Sequence, residues 1–323
     1  MILIGILGAV LASNAPAPIS NSVAQATTIT APESSEAVEK DFHKLMDDDD
    51  AAQAEVDQWI RENNEFAAKG AGASADELRR RIRKRFDPVR QAYEDFLQRH
   101  PRHARARVAY ASFLGDIKDE DGAQEQLEKA LEIDTNNPAI YNNLANIYGH
   151  TGPVKKAFEF YAKAIQLNPL ESVYYHNFGT TVYLFRTDAK EYYGITEEQV
   201  FAKAFDLYSN AMRLDPENFP LASDVAQTYY GVRPMRTDDA LKAWTNALHL
   251  AHDEIEREGV YIHFARIKLL ANRFAEAHAH LDAITNEMYL DLKKRLTRNL
   301  EAREHPEKAT NAPPAGAEKN KGQ

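Results

Sequence analysis

The sequence predicts an all-α protein, and two observations carry that prediction. The first is compositional. Against 49 alanines in 323 residues stand only 14 glycines and 14 prolines, and alanine that common with turn formers that scarce favours helix over a many-turned sandwich. The second is an internal repeat. Pro138-Ala-Ile-Tyr-Asn-Asn-Leu-Ala-Asn-Ile-Tyr148 aligns with Ser172–Val182 at an offset of 34 residues, and with Ala104–Leu114 at the same offset backwards. Each segment reads as the first helix of a pair. The second helices align as well, through Ala123/Leu127/Ala130, Ala157/Tyr161/Ala164, Ala204/Tyr208/Ala211 and Ala240/Trp244/Ala247. Self-similarity at this period means stacked two-helix units, each leaving an apolar face that only the next can cover.

From the N-terminus, Met1–Ala12 is a run without a charge, followed by Ser13-Asn14-Ala15-Pro16. It is shorter than the about 20 residues a spanning helix needs. It fits the apolar region of a signal peptide, although no Lys or Arg precedes it; Val10-x-Ala12 and Ser13-x-Ala15 are acceptable cleavage patterns. Residues 1–15 are therefore read as a signal peptide and export, to periplasm or exterior, as the expected localisation, with the cytoplasm as the alternative. Residues 16–50 read as a disordered acidic linker, rich first in Pro, Ser, Thr and Ala. In it, Asp47–Asp50 lacks the spaced ligands and glycine of a calcium loop and reads as a charge run at a helix start.

Residues 51–102 read as a helical extension or half-repeat. Val56, Trp59, Ile60 and Phe66 suggest an amphipathic helix over 51–69, and Ser74-x-x-Glu77 caps the next one. Pro88 is expected to kink that helix or open a new one behind Asp87, and Val89, Tyr93 and Phe96 repeat the second-helix spacing. Charge is segregated here. Residues 33–65 hold 12 acidic and 3 basic side chains, and residues 79–107 hold 11 basic and 3 acidic. Arg79–Arg85 reads as a nucleic-acid or anionic-surface patch, or more plainly as a face that the acidic segment folds back on or as one of two solvated faces. The second reading is preferred, because no aromatic residues interleave with the run.

The repeat 138–171 resembles the tetratricopeptide repeat at Tyr141, Leu144, Ala145, Tyr148, Gly152, Ala157, Tyr161, Ala164 and Pro169. The resemblance implies a right-handed α-solenoid of stacked helix–turn–helix repeats, about five over 103–287, with the N-terminal helical extension ahead of it. The underlying physics is size complementarity. Ala145 and Gly179 lack bulk, so the second helix approaches closely through Ala157/Ala164 and Ala204/Ala211, while Tyr141, Tyr161, Tyr175 and Tyr208 fill the space around the contacts. The period breaks twice, by 13 residues within 180–203, before Thr196-Glu-Glu-Gln199 restarts a helix as a capping box, and by a two-residue longer turn over Gly231–Arg236. A fourth repeat begins near Phe219, with Thr237 capping its second helix. A degenerate fifth begins near Val260, turns at Asn272 and carries Ile284 at a small-residue position. Residues 288–302 read as a capping helix and 303–323 as a disordered tail.

In this family ligands usually lie along the groove made by the first helices. The resemblance places Asn142, Asn143, Asn146, His176, Asn177, Thr180, Tyr183, Asp224, Gln227, Tyr230, His263 and Arg266 there. Short amides in such rows can bond an extended peptide, and Tyr183 and Tyr230 add apolar area. The alternative is that the asparagines pack or cap neighbouring helices, as is common in the repeat consensus. The carboxylate clamp of the chaperone-binding members is absent: its basic positions fall on Asn142, Pro220 and Asp224, or in the earlier register on Val108, Val173 and Asn177.

The absence of cysteine excludes disulfides, thiolate metal sites and a thiol nucleophile. The net charge of −10 argues against whole-chain nucleic-acid affinity, and a mean hydropathy of −0.55 excludes a polytopic membrane protein. His249, His252 and Glu256 near one helix face, and His278 with His280, lack a further ligand or base. No catalytic residue, cofactor or metal is expected. The sequence reads as a non-catalytic scaffold or adaptor for a protein or peptide ligand in an exported or envelope-associated assembly. The alternatives are a cytoplasmic regulator contacting an anionic partner or nucleic acid through Arg79–Arg85, and an enzyme using the groove.

Overall fold

The computed structural model describes residues 36–68 and 70–306. The expected signal peptide and nearly all of the expected tail lie outside the described residues. Among the described residues there are fourteen α-helices and no strand, and no helix is long and apolar enough to cross a membrane. The chain divides into two compact units, one ending at Leu170 and the other beginning at Glu171.

The first unit holds α1 (Glu36–Ala68), α2 (Ala75–Arg99), α3 (Ala104–Asp116), α4 (Glu120–Ile133), α5 (Pro138–Thr151) and α6 (Val154–Leu167). Helices α3/α4 and α5/α6 are packed pairs, and α4 packs on α5. Starts are set by short polar caps. Asp119 accepts from Gly122 N, and Asn137 accepts from Ala139 N ahead of Pro138. Ser74 and Glu77 form the expected reciprocal capping box. The turns inside the pairs use positive φ at Lys118 (66°) and Gly152 (77°).

Three expectations are corrected in this unit. The segment 36–50 is helix rather than linker, because Phe42, Leu45, Asp49 and Ala52 are buried at helical spacing. Asp47–Asp50 therefore sits inside α1 and not at its start. Asp49 is buried and accepts from Tyr93 OH at 2.7 Å and Gln53 Nε2 at 2.9 Å. Burial raises its pKa, with those two hydrogen bonds opposing. Helix α2 also runs through Pro88 without ending, so of the two outcomes expected there the new helix behind Asp87 is not met. The carbonyl that the proline leaves unpaired is that of Lys84, an exposed residue open to water, while Val89, Tyr93, Phe96 and Leu97 bury the turns that follow.

The second unit holds α7 (Ser172–Leu184), α8 (Arg186–Tyr193), α9 (Glu197–Leu214), α10 (Phe219–Thr228), α11 (Thr237–Leu250), α12 (Glu254–Leu270), α13 (Phe274–Asp282) and α14 (Leu290–Glu304), the last preceded by a 3-10 turn, Glu287–Tyr289. Helices α7/α9, α10/α11 and α12/α13 pair. The inserted residues form α8, closed by Gly194 in the left-handed conformation. The Thr196/Gln199 capping box is present. Thr237 is the first residue of α11 and does not cap it. Arg236 holds the cap position without a capping bond, and Asp238 and Asp239 answer the helix dipole instead. Leu292, Leu296 and Leu300 of α14 close over Ile262, Ala265, Leu269, Ala277, Leu281 and Ile284, so the expected covering helix is present, shifted two residues on.

The size complementarity is met in both units. Ala123, Ala130, Ala145, Ala157, Ala164, Ala204, Ala211, Ala240 and Ala247 are buried, with Tyr161, Tyr208 and Trp244 filling the space between them. Tyr141 and Tyr175 are only half-buried. At Gly179 a Cβ would come within 3.0 Å of the Tyr208 ring, so the glycine is needed for that close approach. Ala164→Leu is expected to destabilise the α5/α6 pair by about 1–3 kcal/mol, read as a lower urea midpoint.

Candidate functional site

The twelve groove candidates divide between the units. Asn142, Asn143 and Asn146 stand on α5 in the first. Asn142 and Asn143 are buried, and Asn142 Nδ2 donates to Asn143 Oδ1 at 3.2 Å. Half-buried Asn146 accepts from Tyr161 OH at 2.6 Å, which ties α5 to α6. Asn146 thus joins two helices, in line with the packing alternative, while Asn142 and Asn143 bond each other within α5.

In the second unit, α7, α10 and α12 carry eight of the other nine, Tyr230 stands in the turn after α10, and α9 and α11 supply aromatic backing. His176 Nε2 lies 2.8 Å from Asp224 Oδ2, linking α7 to α10. Thr180 Oγ1 meets Tyr208 OH at 3.1 Å. Tyr183 lies beside Phe201 and over Gly231, where a Cβ would come within 2.9 Å of its ring. Tyr230 OH is 3.1 Å from His263 Nδ1, and the His263 ring stacks on Trp244 at 3.9 Å and 10°. The Arg266 guanidinium lies 4.7 Å from the Tyr230 ring centroid.

Burial sorts this group. His263 is 5% exposed, so it is a core residue and does not line a groove. His176, Asn177, Thr180, Tyr183, Asp224, Gln227, Tyr230 and Arg266 are half-buried. They present polar edges whose positions are fixed from behind. Burial raises the phenols of Tyr183, Tyr208 and Tyr230, so they act as neutral hydrogen-bonding groups. Burial, with Arg266 adding to it, lowers His263 to about 3 and keeps the ring uncharged. The surface offers amide, carboxylate, imidazole and guanidinium groups on an aromatic floor, a chemistry suited to recognition.

The family model described as "TmcB, TPR repeats" matches residues 74–139, and a tetratricopeptide repeat model matches 127–157. This chain carries tetratricopeptide repeats over residues 74–157. Solved repeat proteins share its fold. PilW, described as a type IV pilus biogenesis factor, aligns at 14% identity and a TM-score of 0.53, covering 73% of this chain and 97% of that one. PilF of Pseudomonas aeruginosa aligns at 16% identity and 0.50, covering 80% and 99%. A curated relative, an uncharacterized protein of Haemophilus influenzae, is 33% identical over 81 residues, which are 25% of this chain and 45% of that protein. The chain thus spans less than half the length of this curated relative.

Two features of the second unit escaped sequence reasoning. The Tyr230–His263–Trp244 stack joins the turn after α10 to α11 and α12, and only the occurrence of His263 among Ile262, Phe264 and Ala265 pointed to burial. Glu258 is 3% exposed and accepts from Thr285 and Asn286. Nothing in its local pattern separated it from the exposed Glu254.

Proposed function

We propose that this protein is a non-catalytic scaffold that grips an extended segment of a partner protein along the half-buried polar edge of α7, α10 and α12. The observation that supports this is the arrangement of His176, Asp224, Gln227 and Arg266 over Tyr183 and Tyr230. Such a surface can bond a peptide backbone through its amide and charged groups while the rings supply apolar area. Side chains held from behind lose little entropy on binding. Export to an envelope-associated assembly is part of the same reading and rests on the uncharged run Met1–Ala12.

The test places a photo-crosslinking amino acid at Gln227, identifies the captured partner, and measures its affinity for Asp224→Lys and Arg266→Glu variants. Each variant is expected to weaken binding at least about tenfold, as truncation of an anchoring contact does, with unchanged circular dichroism. Equal affinity of both variants for that partner overturns the groove. Sequencing the mature N-terminus tests export: an intact Met1 in a cytosolic fraction overturns it.

A further inference from the structure

The charge-segregated N-terminal helices carry an inference that the groove does not. Past Val56 on α1 and before Val89 on α2, no described residue with a resolved side chain is buried, so the far half of this hairpin pairs only with itself. Part of the segregated charge is spent inside it. Glu55 meets Arg85 at 2.7 Å, and Arg81 lies 3.7 Å from the Trp59 ring centroid. Nearer the base, Glu39 meets Arg105 at 2.9 Å and Asp41 meets Arg99 at 3.7 Å. The acidic helix thus folds back on the basic one, one of the two forms of the preferred reading.

The rest of the charge is not absorbed. On α2, Arg79, Arg80, Arg83 and Lys84 are all exposed; Arg80 and Lys84 lie opposite half-buried Ile82 and Phe86, and Arg83 flanks them. Arg79 pairs only with its neighbour Asp76, and Arg80, Arg83 and Lys84 form no ion pair among the described residues. On α1, Asp47, Asp50 and Asp57 are exposed opposite the buried line Phe42, Leu45, Ala52 and Val56, and form no ion pair there either. Exposed Ala51 and Ala54 lie between them, small enough for another helix to approach. The hairpin therefore bears a carboxylate stripe on one outer face and a cationic stripe on the other, and the two cannot reach each other within one chain.

We propose that copies of this chain associate head to tail through this hairpin, the acidic stripe of α1 in one copy lying on the basic stripe of α2 in the next. Pairing like face with like face would oppose equal charges. The attractive contact is acid on base, and it leaves one stripe of each sign uncovered at the ends, so the association is open rather than a closed dimer. A helix stripe on a helix stripe buries less than the about 1,200 Å² of a stable interface, so charge attraction must hold it, and salt must weaken it as the screening length falls to about 10 Å near 0.1 M. A longer polyanion or a lipid plane fits less well. The cationic stripe spans about 7.5 Å of helix, is flanked by the exposed carboxylates of Asp76, Glu77 and Asp87, and has no interleaved aromatic rings for bases to stack on.

The test is sedimentation velocity of the full chain at low and high salt. The wild type is expected to exceed its 36.4 kDa monomer mass at low salt and return to it at high salt. A variant with Arg80→Glu, Arg83→Glu and Lys84→Glu, and another with Asp47→Lys, Asp50→Lys and Asp57→Lys, are each expected to stay monomeric with unchanged helicity. Mixed, they are expected to associate, because one then carries two acidic stripes and the other two basic ones. A wild type monomeric at low salt, or a mixture that remains monomeric, overturns the proposal. So does a monomeric wild type that sediments with phosphatidylserine vesicles or shifts a single-stranded oligonucleotide, which would assign the basic stripe to that partner instead.

Discussion

Lowering the pH from about 6.5 to about 5 is expected to destabilise the second unit by about 2 kcal/mol through His263 alone. An unfolded imidazole titrates near 6.5, whereas burial and then Arg266 hold the folded one at about 3. Above 6.5 both states are neutral and His263 contributes no pH dependence. Below it the unfolded chain takes up a proton that the folded chain refuses, so stability falls with each step in pH until the folded value is reached. A cationic ring would gain about 1–2 kcal/mol from the Trp244 face, which offsets only part of that loss. The check is a series of urea midpoints for the wild type and His263→Phe. The variant keeps an aromatic ring on Trp244 but leaves Tyr230 OH without its partner, so it should be about 1 kcal/mol less stable at neutral pH. Its midpoints should then change less between pH 6.5 and 5 than those of the wild type. Burial also lowers His103 and His280, but both remain in the variant and cancel in the difference. Parallel pH curves would show that His263 is protonated in the folded state.

The contrast between His263 and His176 shows where sequence reading reached its limit. Both stand at first-helix positions that the repeat register assigns to a groove, and both were read as ligand-facing. The period tells which helix a residue is on, and the alanine and aromatic positions tell how the pairs close. Ala157, Tyr161 and Ala164 were legible for that reason, as were the capping boxes at Ser74 and Thr196. Which side of a first helix meets the next pair depends on what that pair brings. Trp244, 19 residues before His263, supplies the flat partner that draws the ring inward. His176 meets Asp224, 48 residues on, at a half-buried edge. Neither partner is encoded near its histidine. The same limit explains α1. Its acidic composition read as linker, because the apolar residues that fix it are few, and they gain a core only from α2 and α3, as where Phe96 and His103 meet Phe42 and Tyr93 meets Asp49.

Glu258→Ala is expected to cost about 3 kcal/mol and to loosen α14 before the rest of its unit. The Glu258 carboxylate is buried and accepts four hydrogen bonds: from Thr285 N at 3.1 and 3.0 Å, Thr285 Oγ1 at 2.8 Å and Asn286 N at 2.8 Å. It ties α12 to the corner where the chain leaves α13 and turns toward α14. Lys293 closes the same corner by donating to Ile284 O at 2.9 Å. Alanine would take the shared acceptor from three donors, the N–H and hydroxyl of exposed Thr285 and the N–H of half-buried Asn286. Glu258→Gln tests charge separately from size. Its amide nitrogen would face one of those donors, so it should be nearly as damaging although its volume is unchanged. Burial pushes this carboxyl up, but the bonds from Asn286 and Thr285, with Lys293 nearby, outweigh burial and hold its pKa below the usual 4.5. The stabilisation is therefore complete above about 4.5 and lost as the pH falls through the lower folded value, below the window assigned to His263. Amide hydrogen exchange distinguishes a local anchor from a general one. In Glu258→Ala the amides of α14 should lose protection while those of α7, α9 and α10 keep it. Equal loss across these helices would mean that the corner supports the whole unit.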